Sequence, residues 1–220
     1  MKKVIRISVI ACISGIMMLA SFSCGKDEPN GNTDPATADT SVVINGVKWA
    51  TRNVDAPGTF AATPESYGMF YQWNRNIAWS ATVPGFGEPM PGWNNTDATG
   101  TEWAKINDPS PAGWRVPKIE ELQSLLDAEK VTNEWTTLNG ITGRKFTDIA
   151  SGNFLFLPAV GYRNVVDGTL YDAGTDGNYW GSAAFESNVT YAFYLSFSSG
   201  NANWDYANRG YGLSVRCVSE

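Results

Sequence analysis

The residues of this chain best suited to chemistry are aromatic rather than acid–base. Trp79, Trp93 and Trp103 stand in a stretch rich in glycine and proline, and Trp204 stands in Asn203-Trp204-Asp205-Tyr206. An indole face flanked by Asn and Asp suits a sugar ring, which offers C–H faces and hydroxyls together. An exposed cluster of such rings marks an interaction site. Trp79, Trp93, Trp103, Trp204, Asp205 and Tyr206 are therefore the candidate ligand-binding residues. Each tryptophan could equally pin a long loop to the core. A sugar site requires at least one of them exposed in a concave surface, with polar groups nearby.

Acid–base and metal chemistry have less to work with. The chain contains no histidine, which removes the commonest general base and the commonest metal ligand together. Hydrolysis by two carboxylates stays formally open, yet spacing singles out no pair among the Asp and Glu residues, so no catalytic residue is assigned. Asp172, Asp176 and Asn178, set around Gly174 and Gly177, could offer oxygen ligands to calcium. Asp-Gly and Gly-Asn turn chemistry accounts for the same residues and is the reading taken here, with no metal site and no cofactor expected. The formal charge of −6 leaves no basic footprint for nucleic acid.

The elements that must position these residues centre on Pro111-Ala112-Gly113-Trp114-Arg115-Val116-Pro117. Gly113 permits a tight backbone, and Pro117 presets a first helical turn. Ile119, Leu122, Leu125 and Leu126 then recur at helical spacing, with acids between them, predicting a helix of about three turns with its acids in water. Lys118 is a poor N-cap, and Trp114 is the natural anchor beside the helix. Asn45-Gly46 between Val42, Ile44 and Val47 predicts a small hairpin. Tyr67–Trp73 reads as a buried strand or turn packing on Trp49. Residues 76–110 have no helical or strand period and read as a long irregular loop.

Phe154–Arg163 is the candidate for a central strand. Residues 179–182, 191–197 and 212–218 give three more, with Asn203–Tyr206 in the loop before the last. Many short strands around few helices predict an α+β domain with a twisted antiparallel sheet, few helices and long loops. Arg115, Arg163 and Arg216 are expected to cap or pair at strand ends.

The N-terminus reads as an address. Lys2, Lys3 and Arg6 precede an apolar run to about Leu19, the pattern of a secretory signal. Leu19-Ala20-Ser21-Phe22-Ser23-Cys24 resembles a bacterial lipobox with Cys24 as the lipidated residue; plain secretion with Cys24 in a disulfide is the alternative. Gly25-Lys26-Asp27-Glu28 resembles the surface-export signal of Bacteroidetes lipoproteins. The organisation expected is a lipoprotein signal peptide over 1–23, a disordered tether over 24–40 and one domain over 41–220. Cleavage would remove Lys2, Lys3 and Arg6 and make the remainder more acidic, which argues against adhesion to anionic polymers.

Several ordered motifs carry a family resemblance: Trp49 to Asn53, Tyr67-Gly68, Pro111 to Pro117, Glu121-Leu122, Gly161-Tyr162-Arg163, Tyr179 to Ser182 and Ser214 to Val218. Together they resemble the Fibrobacter succinogenes major paralogous domain over residues 42–219. The resemblance implies a C-type-lectin-like fold on an outer-surface lipoprotein. It also implies a cysteine where Ser110 stands, so Cys217 is left as a buried thiol without its partner. Formylglycine-generating chemistry, which that fold also hosts, would need paired cysteines that this domain lacks.

The expectation is a non-catalytic binding protein anchored to the outer membrane by lipid on Cys24 and facing the cell exterior. Its partner would be a glycan met through the loop aromatics. The alternative is a structural, adhesion or fimbria-associated subunit whose partner is a surface protein.

Overall fold

A computed structural model describes residues 41–220; the signal segment, Cys24 and the tether fall outside the described residues. The strands are short. They run β1 (Ser41–Ile44), β2 (Val47–Ala50), β3 (Met69–Gln72), β4 (Trp79–Ser80) and β5 (Trp114–Arg115). After the single α-helix, α1 (Ile119–Ser124), come β6 (Val131–Leu138), β7 (Ile141–Asp148), β8 (Phe154–Pro158), β9 (Tyr162–Arg163) and β10 (Leu170–Tyr171). The last are β11 (Gly177–Ala184), β12 (Tyr191–Phe197), β13 (Ala202–Asn208), β14 (Gly212–Ser214) and β15 (Val218–Ser219). Among the described residues the fold is β-rich, with three sheets and one short α-helix.

The first hairpin forms because Asn45 and Gly46 both take positive φ, 46° and 78°, the backbone of a two-residue primed turn. Its second strand pairs with β15, and β15 pairs with β5, so both ends of the domain share one four-stranded sheet. Asn139-Gly140 repeats the same turn, with φ 47° and 84°, and joins β6 to β7 in full register from Leu138↔Ile141 to Val131↔Asp148.

The largest sheet has the order β10-β9-β14-β11-β12-β13, with β3 and β4 attached through β14. It is antiparallel except where β11 and β14 run parallel at Tyr179↔Ser214. Among the described residues two larger cores lie on it, beside a small third of Phe70, Ala81, Val160 and Leu170. One holds Trp49, Leu122, Leu125, Phe146, Leu155 and Phe197; the other holds Tyr71, Trp73, Trp103, Trp180, Val215 and Cys217.

Several expectations need correction. Helix α1 has six residues rather than three turns, because the chain tightens after Ser124. The amides of Leu125 and Leu126 donate three residues back, to Leu122 and Gln123, and Val131 then opens a strand. Its apolar stripe is as expected, with Leu122 and Leu125 buried. Glu121 is not simply solvated: its carboxylate accepts from the Lys118 amide at 2.7 Å, which supplies the missing cap. The same carboxylate takes a two-pronged ion pair from Arg115 at 2.8 and 2.6 Å.

Phe154–Pro158 is not central but the edge of the three-stranded sheet β6-β7-β8; it is apolar because Leu155 and Leu157 join the first core. Tyr71 and Trp73 pack in the second core and not on Trp49. Trp114 meets Phe60 edge-on at 5.5 Å. Asn203–Tyr206 is no loop but the middle of β13, an edge strand.

Candidate functional site

The proposed tryptophans do not come together. Trp103 is 7% exposed; its indole N–H donates to Asn107 O at 2.8 Å and its ring lies 6.0 Å from Trp73. Trp79 and Trp93 pack on each other at 4.9 Å, and Trp93 donates to Val165 O at 3.1 Å. These three pin the irregular stretch to the sheet. Trp204 is 44% exposed and lies against Phe193 at 5.8 Å. Register puts it on the sheet face that carries Leu195, a residue of the first core.

The opposite face of the same strands carries the cleft. Antiparallel pairing sets Asn178 beside Ser196 and Trp180 beside Tyr194, then Tyr194 beside Asp205. Side chains alternate along a strand, so Asn178, Tyr194, Ser196 and Asp205 share that face. Asn178, Tyr194 and Ser196 border a cleft of about 640 Å³ whose lining also includes Tyr162, Tyr211, Asp172 and Asp176. Tyr206 also reaches it; its ring stacks on Phe185 at 4.2 Å and 6°. Of the proposed residues, then, Tyr206 stands at the cleft; Asp205 pairs with Tyr194 without lining it, and the four tryptophans lie elsewhere.

Gly161 shapes one wall. Its φ is +77°, and a Cβ there would press on Tyr171 O, with Ala173 N 2.6 Å away. Only glycine lets the 171–173 turn come this close. Asp172 itself takes φ 56°, and its carbonyl accepts from the amides of Thr175 and Asp176. Gly161 N donates to Asp176 O at 2.7 Å, closing the turn against Tyr162. Tyr162 is flanked by Tyr171 at 5.9 Å and Tyr211 at 5.6 Å.

The electrostatics are acidic. Burial and then Asp172 raise the Asp176 carboxyl above its ordinary value. Burial raises the Tyr162 phenol, with Asp172 adding to it, and raises Tyr194, with Asp205 adding to it. Among the described residues no Lys or Arg lines the cleft. Asn178 is the most telling group. It is 7% exposed, its Oδ1 accepts weakly from Ser196 Oγ at 3.4 Å, and its amide nitrogen has no partner. A buried donor in that state is costly unless something accepts from it.

Asp172, Asp176 and Asn178 were legible as a polar turn, while Tyr162, Tyr194 and Tyr211 were not read as a wall. The one signal, for two of the three, was tyrosine beside glycine at Gly161-Tyr162 and Gly210-Tyr211. Among the described residues no three His, Cys, Asp or Glu side chains converge as a metal site, and no helix is long and apolar enough to cross a membrane. The arginines are structural. Arg163 donates to the carbonyls of Ser80, Pro84 and Gly168, and Arg216 holds the first loop. Arg209, which the sequence did not single out, lies 4.2 Å over the Trp73 ring.

No curated protein and no solved structure matches the chain. One family model does, that of the Lcl C-terminal domain, over residues 45–219, nearly the span of the ordered motifs. The chain therefore belongs to the Lcl C-terminal domain family, a family of bacterial surface and lipoprotein-type proteins.

Proposed function

We propose that this is a non-catalytic, cell-surface carbohydrate-binding domain that holds its glycan in the tyrosine-walled cleft. The lectin-like reading of the fold and the outer-membrane anchor on Cys24 belong to the same proposal. The observation that carries it is the buried, unpartnered amide of Asn178 in a concave wall of aromatic rings. Such a site pairs apolar faces with a few placed polar groups. A sugar ring stacks its C–H face on a phenol and offers a hydroxyl oxygen to the amide. Asp172 and Asp176 accept hydroxyl protons and repel anionic polymers.

Calorimetry of the purified chain against a panel of neutral and amino-bearing oligosaccharides, with and without a calcium chelator, tests this. Saturable binding that is lost in Tyr211→Ala is the expected result. Silence across the panel up to millimolar ligand would overturn it.

One observation favours the protein-partner alternative. Strand β13 is an edge and exposes Trp204 and Tyr206, at 44% and 45%, with Phe193 and Phe185 against them. An uncovered edge with aromatic side chains is a surface on which another chain can pair. Binding of a surface protein, abolished by Trp204→Ala and untouched by Tyr211→Ala, would select that reading.

A further inference from the structure

The cleft holds more negative charge than a neutral sugar needs. Asp172 and Asp176 line it together, the charge of Asp172 weighs on Asp176, and among the described residues no Lys or Arg lines it to answer them. Among the described residues the ion pairs are Lys105–Glu220, Arg115–Glu121 and Lys145–Glu134, and none involves a cleft acid. Around these carboxylates stand Tyr162, Tyr194 and Tyr211, whose ring faces attract a cation. Beside them the Asn178 amide waits for an acceptor. The cleft therefore offers a cation seat and a hydrogen-bond donor within one concavity.

We infer that the cleft selects a glycan bearing a protonated amine, a hexosamine unit with a free amino group, over its N-acetylated, neutral or anionic counterparts. This rests on the carbohydrate reading above and names the class of sugar. The ammonium lies against Asp172 and Asp176 and the tyrosine faces, and a ring hydroxyl accepts from Asn178. A neutral sugar leaves the carboxylates facing one another uncompensated. N-acetylation removes the charge and adds bulk at the same position, and a uronate brings a third negative charge to the pair.

The test is calorimetry of the purified chain with three β-1,4-linked tetrasaccharides at pH 6 and low salt: glucosamine, N-acetylglucosamine and glucose. A simple diamine serves as a fourth probe. The glucosamine tetramer is expected to bind about tenfold more tightly than the other two, two partly screened carboxylate contacts acting together. That preference shrinks as salt is added. The double substitution Asp172→Asn and Asp176→Asn brings the ratio of affinities close to one, whatever happens to the absolute values. Glu186→Gln, an exposed acid outside the cleft, leaves the ratio in place.

Equal affinity for glucosamine and N-acetylglucosamine tetramers, both lost in Tyr211→Ala, overturns the amine preference and leaves the glycan reading standing. Binding of the diamine with none of the three sugars overturns both. Silence toward all four probes also overturns both.

Discussion

Arg216 donates from Nε to Asn53 Oδ1 at 2.9 Å, a buried bond between side chains 163 residues apart. The same guanidinium donates to Ala50 O at 3.3 Å and Thr51 O at 2.7 Å. Asn53 passes the link on to Tyr67 O at 2.9 Å. No carboxylate shares the site, and burial pushes the Arg216 pKa down to about 10. The charge is held by amide and carbonyl dipoles alone, and they fix the loop after β2 to the approach to β15.

Arg216→Leu should therefore cost roughly 3–5 kcal/mol, since it leaves several buried acceptors unmatched. Urea unfolding followed by tryptophan fluorescence measures it. Arg216→Lys should recover only part of the loss, because one ammonium cannot reach the same set of acceptors. Full stability of the leucine variant would mean that the carbonyls find other donors.

Stability and binding should separate between the tryptophans and the tyrosines. Trp103→Ala, in the second core, is expected to lose about 3–5 kcal/mol, while any properly folded fraction keeps its ligand. Tyr211→Ala, at the half-exposed cleft wall, should lose far less stability and most of the binding. Melting curves beside calorimetry on both variants decide it. A Trp103 variant that is fully stable but does not bind would reverse the assignment.

Asp176 gives a prediction with a pH sign. Burial and Asp172 raise its carboxyl above the ordinary 3.8, so the folded state holds the proton more tightly than the unfolded chain. Its ionisation therefore lowers folding stability as pH climbs from the ordinary carboxylate range through the raised folded value. Asp176→Asn should melt higher than the parent protein at neutral pH, with the gap closing as the solution is acidified below pH 3.8, where both states are protonated. Melting temperatures across that range check it. The variant should bind its ligand less well, a trade of function for stability.

Cys217 is fully buried, and desolvation pushes its thiol up to about 12. The thiolate is the reactive form, so Cys217 in the native protein should resist alkylation at pH 8 and label promptly in denaturant. Mass spectrometry of the C-terminal peptide reads the outcome. Ser110, whose buried hydroxyl makes no hydrogen bond, stands near enough to this thiol to offset part of that rise. Ser110→Cys is accordingly expected to form a disulfide with Cys217 under oxidising conditions, visible as a loss of free thiol.

What could be read in the sequence was local. Asn45-Gly46 fixed a hairpin because both residues tolerate positive φ, and Leu122 and Leu125 declared a buried helical stripe. Asn139-Gly140 carried the same hairpin signal and was passed over, because the flanking strands are half polar and show no clean alternation. The cleft was hidden for a different reason. Tyr162, Tyr194 and Tyr211 come from β9, from β12 and from the turn before β14. Register between strands distant in sequence brings them together, and no spacing records that. Tryptophan drew attention because its size suits either role. Here Trp79, Trp93 and Trp103 serve as pins, and the smaller phenol rings line the concavity.

The chain enters the described domain at Ser41, paired with Ala50 at the open end of the first hairpin. A pull on that end would load the rungs of β1 one after another, like a zip, rather than all at once in shear. The slider then meets a stop. Ile44 is fully buried, the Asn45 amide donates to Asp148 Oδ2 at 2.8 Å, and the Asn45 side chain donates to Ser124 O at 3.0 Å. Tension drawn through the N-terminal segment would thus open three rungs in turn, two of them on the buried Ala50 and Trp49, before it met the anchored turn.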